Sequence, residues 1–452
     1  MASDGRRPYD LAPMSFAQRL RTPVSAWLAT WSPILPILVA EFIIWIGFGS
    51  LLPIMPLYFR DHGVDFATLG IVVAAWPAAR LIGEPIFGWV ADRTRRVPLM
   101  VTGAALAGVF EFLPLVFVGA APFILLRGLA GFSTAMYDPA ARGTVTDLTP
   151  PERRGEAFGL YSAAQMGGLL FGPAIGGLGA SIFGGVAFVF VFGAISSIAA
   201  AILVGLKVRE TAGPASSRAT TSYDLTEFPA RPALVAADGD PGGPAKAPPR
   251  LLNRLLLAAI IVNIGANFAA GTYDVVWSLY LESLGAGIGL IGFTFAMFGL
   301  PILLLSPYFG RRSDRGGLVW FVVLGGLAPA ITGVLYTVMP SPGWAVPLIL
   351  VEATGFAALT PALYAIVAAR SPLGRSSTAQ GLFGGAGTIG FVAASLIAGV
   401  LAEMNIRLPF WFFSAVMVIC LGTGLLVAGR ALFTFGQAVP DGDVEAEAAS
   451  GV

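Results

Sequence analysis

Isolated charges interrupt long apolar runs in this chain, and each raises the question of what solvates it. Glu41 stands between Val39-Ala40 and Phe42-Ile43-Ile44, Arg80 and Glu84 lie four residues apart, and Glu111 and Arg127 follow. In the second half the acids are Asp274 and Glu352, with Asn263 and Asn267 four residues apart and so on one helical stripe. A carboxyl among hydrocarbon exchanges a proton or holds a cation, unless an arginine fixes it in a structural ion pair. Two roles therefore stand open for Glu41: proton or cation-substrate binding, or neutralising Arg80. Glu84, one turn from Gly88, is expected to be structural. Glu111 and Arg127 are expected at comparable depth and are read as partners, either static or engaged in proton coupling. The candidate proton-coupling set is thus Glu41, Arg80, Glu111 and Arg127. The candidate cavity set is Glu41, Asn263, Asn267, Tyr273, Asp274, Trp277 and Glu352, with Phe268 as a further aromatic.

The elements that must position these groups follow from composition. Of 452 residues 56% are hydrophobic and only 12% charged, about half the charge of a soluble domain. Apolar runs long enough to cross a bilayer, about 20 helical residues, are read at 33–59, 68–90, 97–118, 122–145, 156–183 and 186–206. A second set falls at 255–281, 288–309, 318–339, 345–369, 379–402 and 409–429. The pattern predicts an all-α polytopic membrane protein of twelve transmembrane helices. A β-barrel would show alternating segments of about ten residues instead. The expected organisation is an N-terminal segment 1–32, a six-helix bundle 33–206, a linker 207–254 of disordered composition, a second bundle 255–429 and a tail 430–452.

The two bundles are copies. A constant offset of 222 positions pairs Gly88 with Gly310, Leu57-Tyr58 with Leu279-Tyr280, Gly63 with Gly285, Gly70 with Gly292 and Gly177 with Gly399. It also pairs Glu41 with Asn263, so proton chemistry is expected mainly in the first bundle. Tandem hydrophobic units imply a transporter with a path between them. Arg6, Arg7, Arg19 and Arg21, the turns after helices two, four, eight and ten, and the linker place most cations on one side; Arg142 counts among the turn charges. The positive-inside rule then puts both termini in the cytoplasm of a multi-pass cell-membrane protein. The first 30 residues show no compact apolar core before a small-residue site, so the first helix is expected to act as its own insertion signal. The lone Cys420 is read as a filler in helix twelve, and the lone His62 cannot build a metal site by itself.

Gly88-x-x-x-Asp92-Arg93-x-Arg95-Arg96, repeated as Gly310-x-x-x-Asp314-Arg315, resembles the cytoplasmic signature of the major facilitator superfamily. Gly88 is read as admitting close helix approach, and Asp92, Arg93 and Arg96, with Gly310, Asp314 and Arg315, as a conformational latch. Gly159, Gly168, Gly172-Pro173 and Gly176 in helix five match the glycine-proline pattern of the drug:proton antiporter branch. That pattern reads as a smooth, pliable seal; the second copy has Ala394, Ser395 and Ala398 instead. Arg127-x-x-x-Gly131 is similar to the superfamily's intramembrane arginine motif, with Ala130 where a glutamine is usual. The resemblance implies two six-helix bundles and alternating access. With no GxxxxGK[ST] and no His-Glu-x-x-His, an enzyme is not expected, and the energy source is expected to be the proton gradient, with no cofactor and no metal. The expected activity is proton-coupled efflux of amphipathic or lipophilic small molecules by a monomer that binds no nucleic acid. A dedicated metabolite, sugar or lysolipid carrier on the same fold is the alternative, and a non-transporting receptor the third reading.

Overall fold

The computed structural model describes residues 27–91, 93–150, 154–183, 185–210, 253–313, 318–370 and 376–429. Among them the secondary structure is helical. Helix α1 runs in two segments, Leu35–Leu51 and Met55–Asp61, bent by 41° where Pro53 and Pro56 interrupt the backbone donors. Then follow α2 (Phe66–Ala91), α3 (Arg96–Phe112), α4 (Ala120–Leu148), α5 (Arg154–Ile182) and α6 (Ala187–Lys207). The second set is α7 (Arg254–Ser283), α8 (Ile288–Ser313), α9 (Leu318–Tyr336), α10 (Ala345–Arg370), α11 (Ser376–Met404) and α12 (Leu408–Ala428). Among the described residues nine of these helices are each long and apolar enough to cross a membrane, and the bent α1 pair makes a tenth. Helices α4 and α5 are 29 residues each but more polar, because α4 carries Arg127, Asp138 and Arg142 and α5 is rich in glycine. Arg142, expected in a turn, lies inside α4.

Packing repeats the sequence offset. Helix α1 packs on α5 and α6, α2 on α4, and α3 on α4 and α6; α7 packs on α11 and α12, α8 on α10, and α9 on α10 and α12. Finer details repeat as well. Gly63 and Gly285, equivalent positions after α1 and α7, take positive φ of 80° and 87°, which glycine tolerates without strain. The Tyr58 hydroxyl donates to the Pro114 carbonyl at 3.0 Å and the Tyr280 hydroxyl to the Tyr336 carbonyl at 2.5 Å. Tyr58 and Tyr280, and likewise Pro114 and Tyr336, are offset partners.

The bundles meet along α2 with α11 and α5 with α8, and both seams are closed by facing glycines. A Cβ on Gly70 would lie 2.4 Å from the Ser395 carbonyl oxygen, and one on Gly399 would lie 2.4 Å from that of Phe66. On the other seam a Cβ on Gly292 would lie 2.6 Å from the Pro173 carbonyl oxygen, and one on Gly177 3.2 Å from that of Ile288. Glu403 of α11 also accepts the Phe66 amide at 2.9 Å, satisfying an orphan donor at the start of α2 from the other bundle. All these contacts lie at the Gly63/Gly285 end. Toward the opposite end stand Gly159 of α5 and Gly381 of α11, again offset partners, and among the described residues a Cβ added to either would meet nothing within 4 Å. The molecule is therefore sealed at the Gly63/Gly285 end and parts toward the end that carries the Gly88 and Gly310 turns.

Candidate functional site

Glu41 is fully buried on α1. Its Oε1 accepts the Tyr161 hydroxyl at 2.5 Å, and its Oε2 accepts Gln165 Nε2 at 2.9 Å and Trp45 Nε1 at 3.1 Å. The three donors come from one turn along α1 and from α5, which reaches α1 because Gly168, Gly172 and Gly176 present no side chain. A Cβ at these positions would lie 2.7 Å from the Phe42 carbonyl oxygen, 2.6 Å from that of Ile46 and 2.4 Å from that of Ser50. The helix-five motif thus builds the Glu41 site as well as a seam, while Gly159, expected with it, stands in open space. Pro173 lies against both Gly49 of α1 and Gly292 of α8.

Arg80 does not neutralise Glu41, which removes the second of the two roles open to that acid. Its guanidinium donates to Glu84 at 2.5 and 3.1 Å and to Asp138 of α4. Arg142 adds contacts of 3.9 Å to Glu84 and 3.7 Å to Asp138. The reason is which helix each side chain faces: α2 lies on α4, where a Cβ at Gly83 would be 2.7 Å from Ala135 Cβ and one at Gly131 2.3 Å from the Trp76 carbonyl oxygen. Glu41 faces α5 instead. Two acids and two arginines form a closed network, which leaves Glu41 held by neutral donors.

Glu111 and Arg127 are both buried, but they do not form the expected close ion pair. Glu111 accepts the Ser197 hydroxyl at 3.1 Å. Arg127 sits 5.9 Å from the centroid of Trp76 with its Nε unpartnered, and the charges acting on it are Asp274 of the other bundle and Glu111. Neither acid makes a direct ion pair with Arg127 among the described residues; one lies in its own bundle and the other across the interface, both acting on it at longer range.

Between the bundles lies a cavity of about 520 Å³, within the range of small-molecule sites. Trp45, Phe48, Trp76, Phe295, Phe298 and Phe391 supply much of its wall. Asn263, Asn267, Tyr273, Asp274, Trp277 and Glu352 all line it. Glu41 does not line it, although Trp45, which donates to Glu41, does. Phe268 packs against Phe412 instead. Glu352, 1% exposed, accepts the Tyr273 and Tyr336 hydroxyls at 2.7 Å each, and Trp277 donates to the Thr294 hydroxyl at 3.0 Å. The second bundle keeps a neutral copy of the Glu41 site. Asn263 donates to the Phe383 carbonyl at 2.8 Å, and Asn267 donates to Asn263 at 2.9 and 3.0 Å. Phe383 and Asn267 are the offset partners of Tyr161 and Trp45, and Gly387 vacates the place of Gln165.

At the turn after α2, Arg93 donates to the Trp89 carbonyl at 3.2 Å and lies 4.3 Å from its ring centroid. Arg96 binds Asp147 of α4 at 2.5 Å, and its amide donates to Glu210 at 2.8 Å. The basic turn is thereby tied to its own bundle. Asp92, Asp314 and Arg315 lie outside the described residues. The close approach expected at Gly88 is not made in this conformation: among the described residues the nearest atom to a Cβ there is Pro139 Cβ at 3.9 Å, and to one at Gly310 Pro361 Cβ at 3.7 Å.

Sequence reasoning missed Asp138, Tyr161, Gln165, Tyr137 and Tyr336. Asp138 carried a usable signal, being a charge within the run 122–145. The others are common residue types whose importance comes from the helix they face.

Residues 37–276 and 255–434 match the family model described as Major Facilitator Superfamily. Quinolone resistance protein NorA of Staphylococcus aureus (strain COL) is 24% identical over 391 residues, covering 82% of this chain and 90% of that protein. Multidrug resistance protein 2 of Bacillus subtilis (strain 168) is 24% identical over 390 residues, covering 84% and 91%. Among solved structures, a bacterial homolog to the human lysosomal transporter Spinster, inward-facing and occupied, aligns with a TM-score of 0.72 at 14% identity, covering 92% of this chain and 99% of that one. The nucleoside transporter NupG aligns with a TM-score of 0.67 at 14% identity, covering 88% and 100%. Family model, duplicated bundles and the cavity between them agree: this chain belongs to the Major Facilitator Superfamily, a family of membrane transporters.

Proposed function

We propose that this protein exports amphipathic or lipophilic small molecules, cationic ones among them, by proton-coupled antiport. The observation that carries the reading is the cavity of about 520 Å³, walled by aromatic rings and holding few polar groups, chiefly Asp274, Glu352, Asn263 and Asn267. Such a wall binds by apolar area and ring contact, and its two acids favour a positive charge. Resemblance to proteins described as quinolone and multidrug resistance proteins supports the substrate class. Glu41, buried and held only by neutral donors, is the group suited to take up and release a proton; Glu111 and Arg127 form a second such centre. The positive-inside rule orients the Gly88 end and both termini toward the cytoplasm, so that the conformation described here is the one that loads substrate from inside. Protons entering from the other side supply the energy, without a cofactor, and one chain contains both bundles of the transport unit.

The test is transport by the purified protein in proteoliposomes with an imposed pH gradient, using a lipophilic cationic dye. Accumulation that follows the gradient and proton release on adding dye at equilibrium are expected. Counterflow indifferent to pH would replace antiport by facilitated diffusion, and binding without flux would make the protein a receptor.

A further inference from the structure

Inside the N-terminal bundle, behind Trp45, Phe48 and Trp76, which also line the large cavity, lies a small one of about 20 Å³. One water needs roughly 10–15 Å³ of such space and two to four polar partners. Arg80, Glu111, Tyr137, Asp138 and Ser197 line it, with Ala107 on its apolar wall. The Tyr137 hydroxyl is the informative group: the residue is 3% exposed, the hydroxyl makes no close hydrogen bond among the described residues, and Glu41 is the acceptor it faces at longer range. A hydroxyl oxygen also accepts hydrogen bonds, and that of Tyr137 receives none among the described residues. Glu111 has acceptor capacity to spare, since only Ser197 donates to it. The same tyrosine adjoins Glu41.

We propose that this cavity is a water site, and that its water joins Glu111 to Tyr137 as a proton route within the N-terminal bundle, on the far side of Trp45, Phe48 and Trp76 from the substrate cavity. A proton leaves the Glu111 carboxyl for the water, the water gives one of its own to the Tyr137 oxygen, and the Tyr137 hydroxyl proton passes to the Glu41 carboxylate. Water and tyrosine end neutral, and one proton has moved between two acids. The charges facing the route are Arg127 of α4 near Glu111; Asp138 and Arg142 of α4 near Glu41; and Arg80 and Glu84 of α2, paired with Asp138. Trp45, Tyr161 and Gln165 hold the Glu41 end by hydrogen bonds.

The inference rests on the proton-coupled reading above, and two variants test it on its own. Tyr137→Phe keeps the ring and removes the hydroxyl; Ala107→Val fills the cavity without touching a polar group. Proteoliposomes are assayed for dye accumulation driven by a pH gradient and for dye counterflow at equal pH, which needs no net proton movement. Both variants are expected to lose about tenfold or more of the driven rate, the scale of removing one proton-transfer group, with counterflow within about twofold of the unmodified protein. Driven accumulation at the unmodified rate in both variants would overturn the proposal. So would loss of counterflow in both, which would make the site structural. If the unmodified protein shows counterflow but no driven accumulation, the proton-coupled reading itself fails.

Discussion

Gly399→Ala tests the seam between the bundles. The added methyl would sit 2.4 Å from the Phe66 carbonyl oxygen and 3.1 Å from Gly70 Cα and N, all backbone atoms that no rotamer change can clear. Relieving such a clash by shifting helices costs about 1–3 kcal/mol. The cost falls only on the conformation in which α2 and α11 touch here. Alanine also favours helix over glycine by about 1 kcal/mol, but α11 is helical in either conformation, so that gain cancels. The ratio of sealed to open forms at the Gly63/Gly285 end should therefore fall by roughly 5- to 150-fold. Gly381→Ala is the control on the same helix: nothing lies within 4 Å of its Cβ position, and no shift is expected. Nitroxide labels at Asp61 and Gly287, in a Cys420→Ser background that removes the lone cysteine, report the separation of the sealed ends by pulsed electron resonance. A distance distribution unchanged by Gly399→Ala, or changed equally by Gly381→Ala, would refute the reasoning.

Glu41→Gln should abolish uphill dye efflux while leaving melting temperature nearly unchanged, because Arg80 keeps Asp138 and Glu84; adding Arg80→Gln should then lower stability by about 3–5 kcal/mol, as buried acids lose their cation. Tyr336→Phe deletes one of two donors to Glu352 and should cost about 1–3 kcal/mol in thermal unfolding, with a change in dye affinity at the cavity. Asp65 caps α2, accepting the Thr68 amide at 2.6 Å and its hydroxyl at 3.0 Å, and these bonds hold its carboxyl below the usual aspartate range. Its contribution is present above the unfolded-state value and fades as pH falls through the lower folded one, so Asp65→Ala should cost about 1 kcal/mol at neutral pH and progressively less in acid titrations.

Much of the architecture was legible because the bilayer demands it. Apolar runs of fixed length mark helices, and the 222-residue offset transfers each packing relation from one half to the other. Register along a helix was legible too: Glu41 and Asn263 are equivalent, and they turn toward equivalent neighbours, α5 and α11. What the sequence withheld is which of two helices a side chain faces. Pairing with Arg80 was one of two roles open to Glu41, because both are charges inside the first two spans, but α1 turns Glu41 to α5 while α2 turns Arg80 to α4. The glycines that fix those contacts, Gly168 and Gly172 on one side and Gly83 and Gly131 on the other, gain meaning only once their neighbours are known. Conformation was equally hidden, since Gly88 and Gly399 look alike in sequence and only Gly399 is in close contact here.

The asymmetry between the copies carries a functional argument. Arg80, Glu111, Arg127 and Asp138 of the first bundle correspond to Ile302, Gly333, Ile349 and Thr360 in the second, whereas Asp274 and Glu352 of the second correspond to Leu52 and Ala130 in the first. Duplication supplied two equal scaffolds, and the charges then became complementary. An acid that lines the substrate cavity must stay available to a cargo of variable shape, which suits Glu352 held by two tyrosine hydroxyls. On the antiport reading proposed above, an acid that exchanges protons does better away from that cargo, and Glu41 lies behind Trp45 among neutral donors. On the same reading, placing the two tasks in different bundles would let cargo and proton meet through the motion of the bundles, with Arg127, on which Glu111 and Asp274 both act, as the group that feels both.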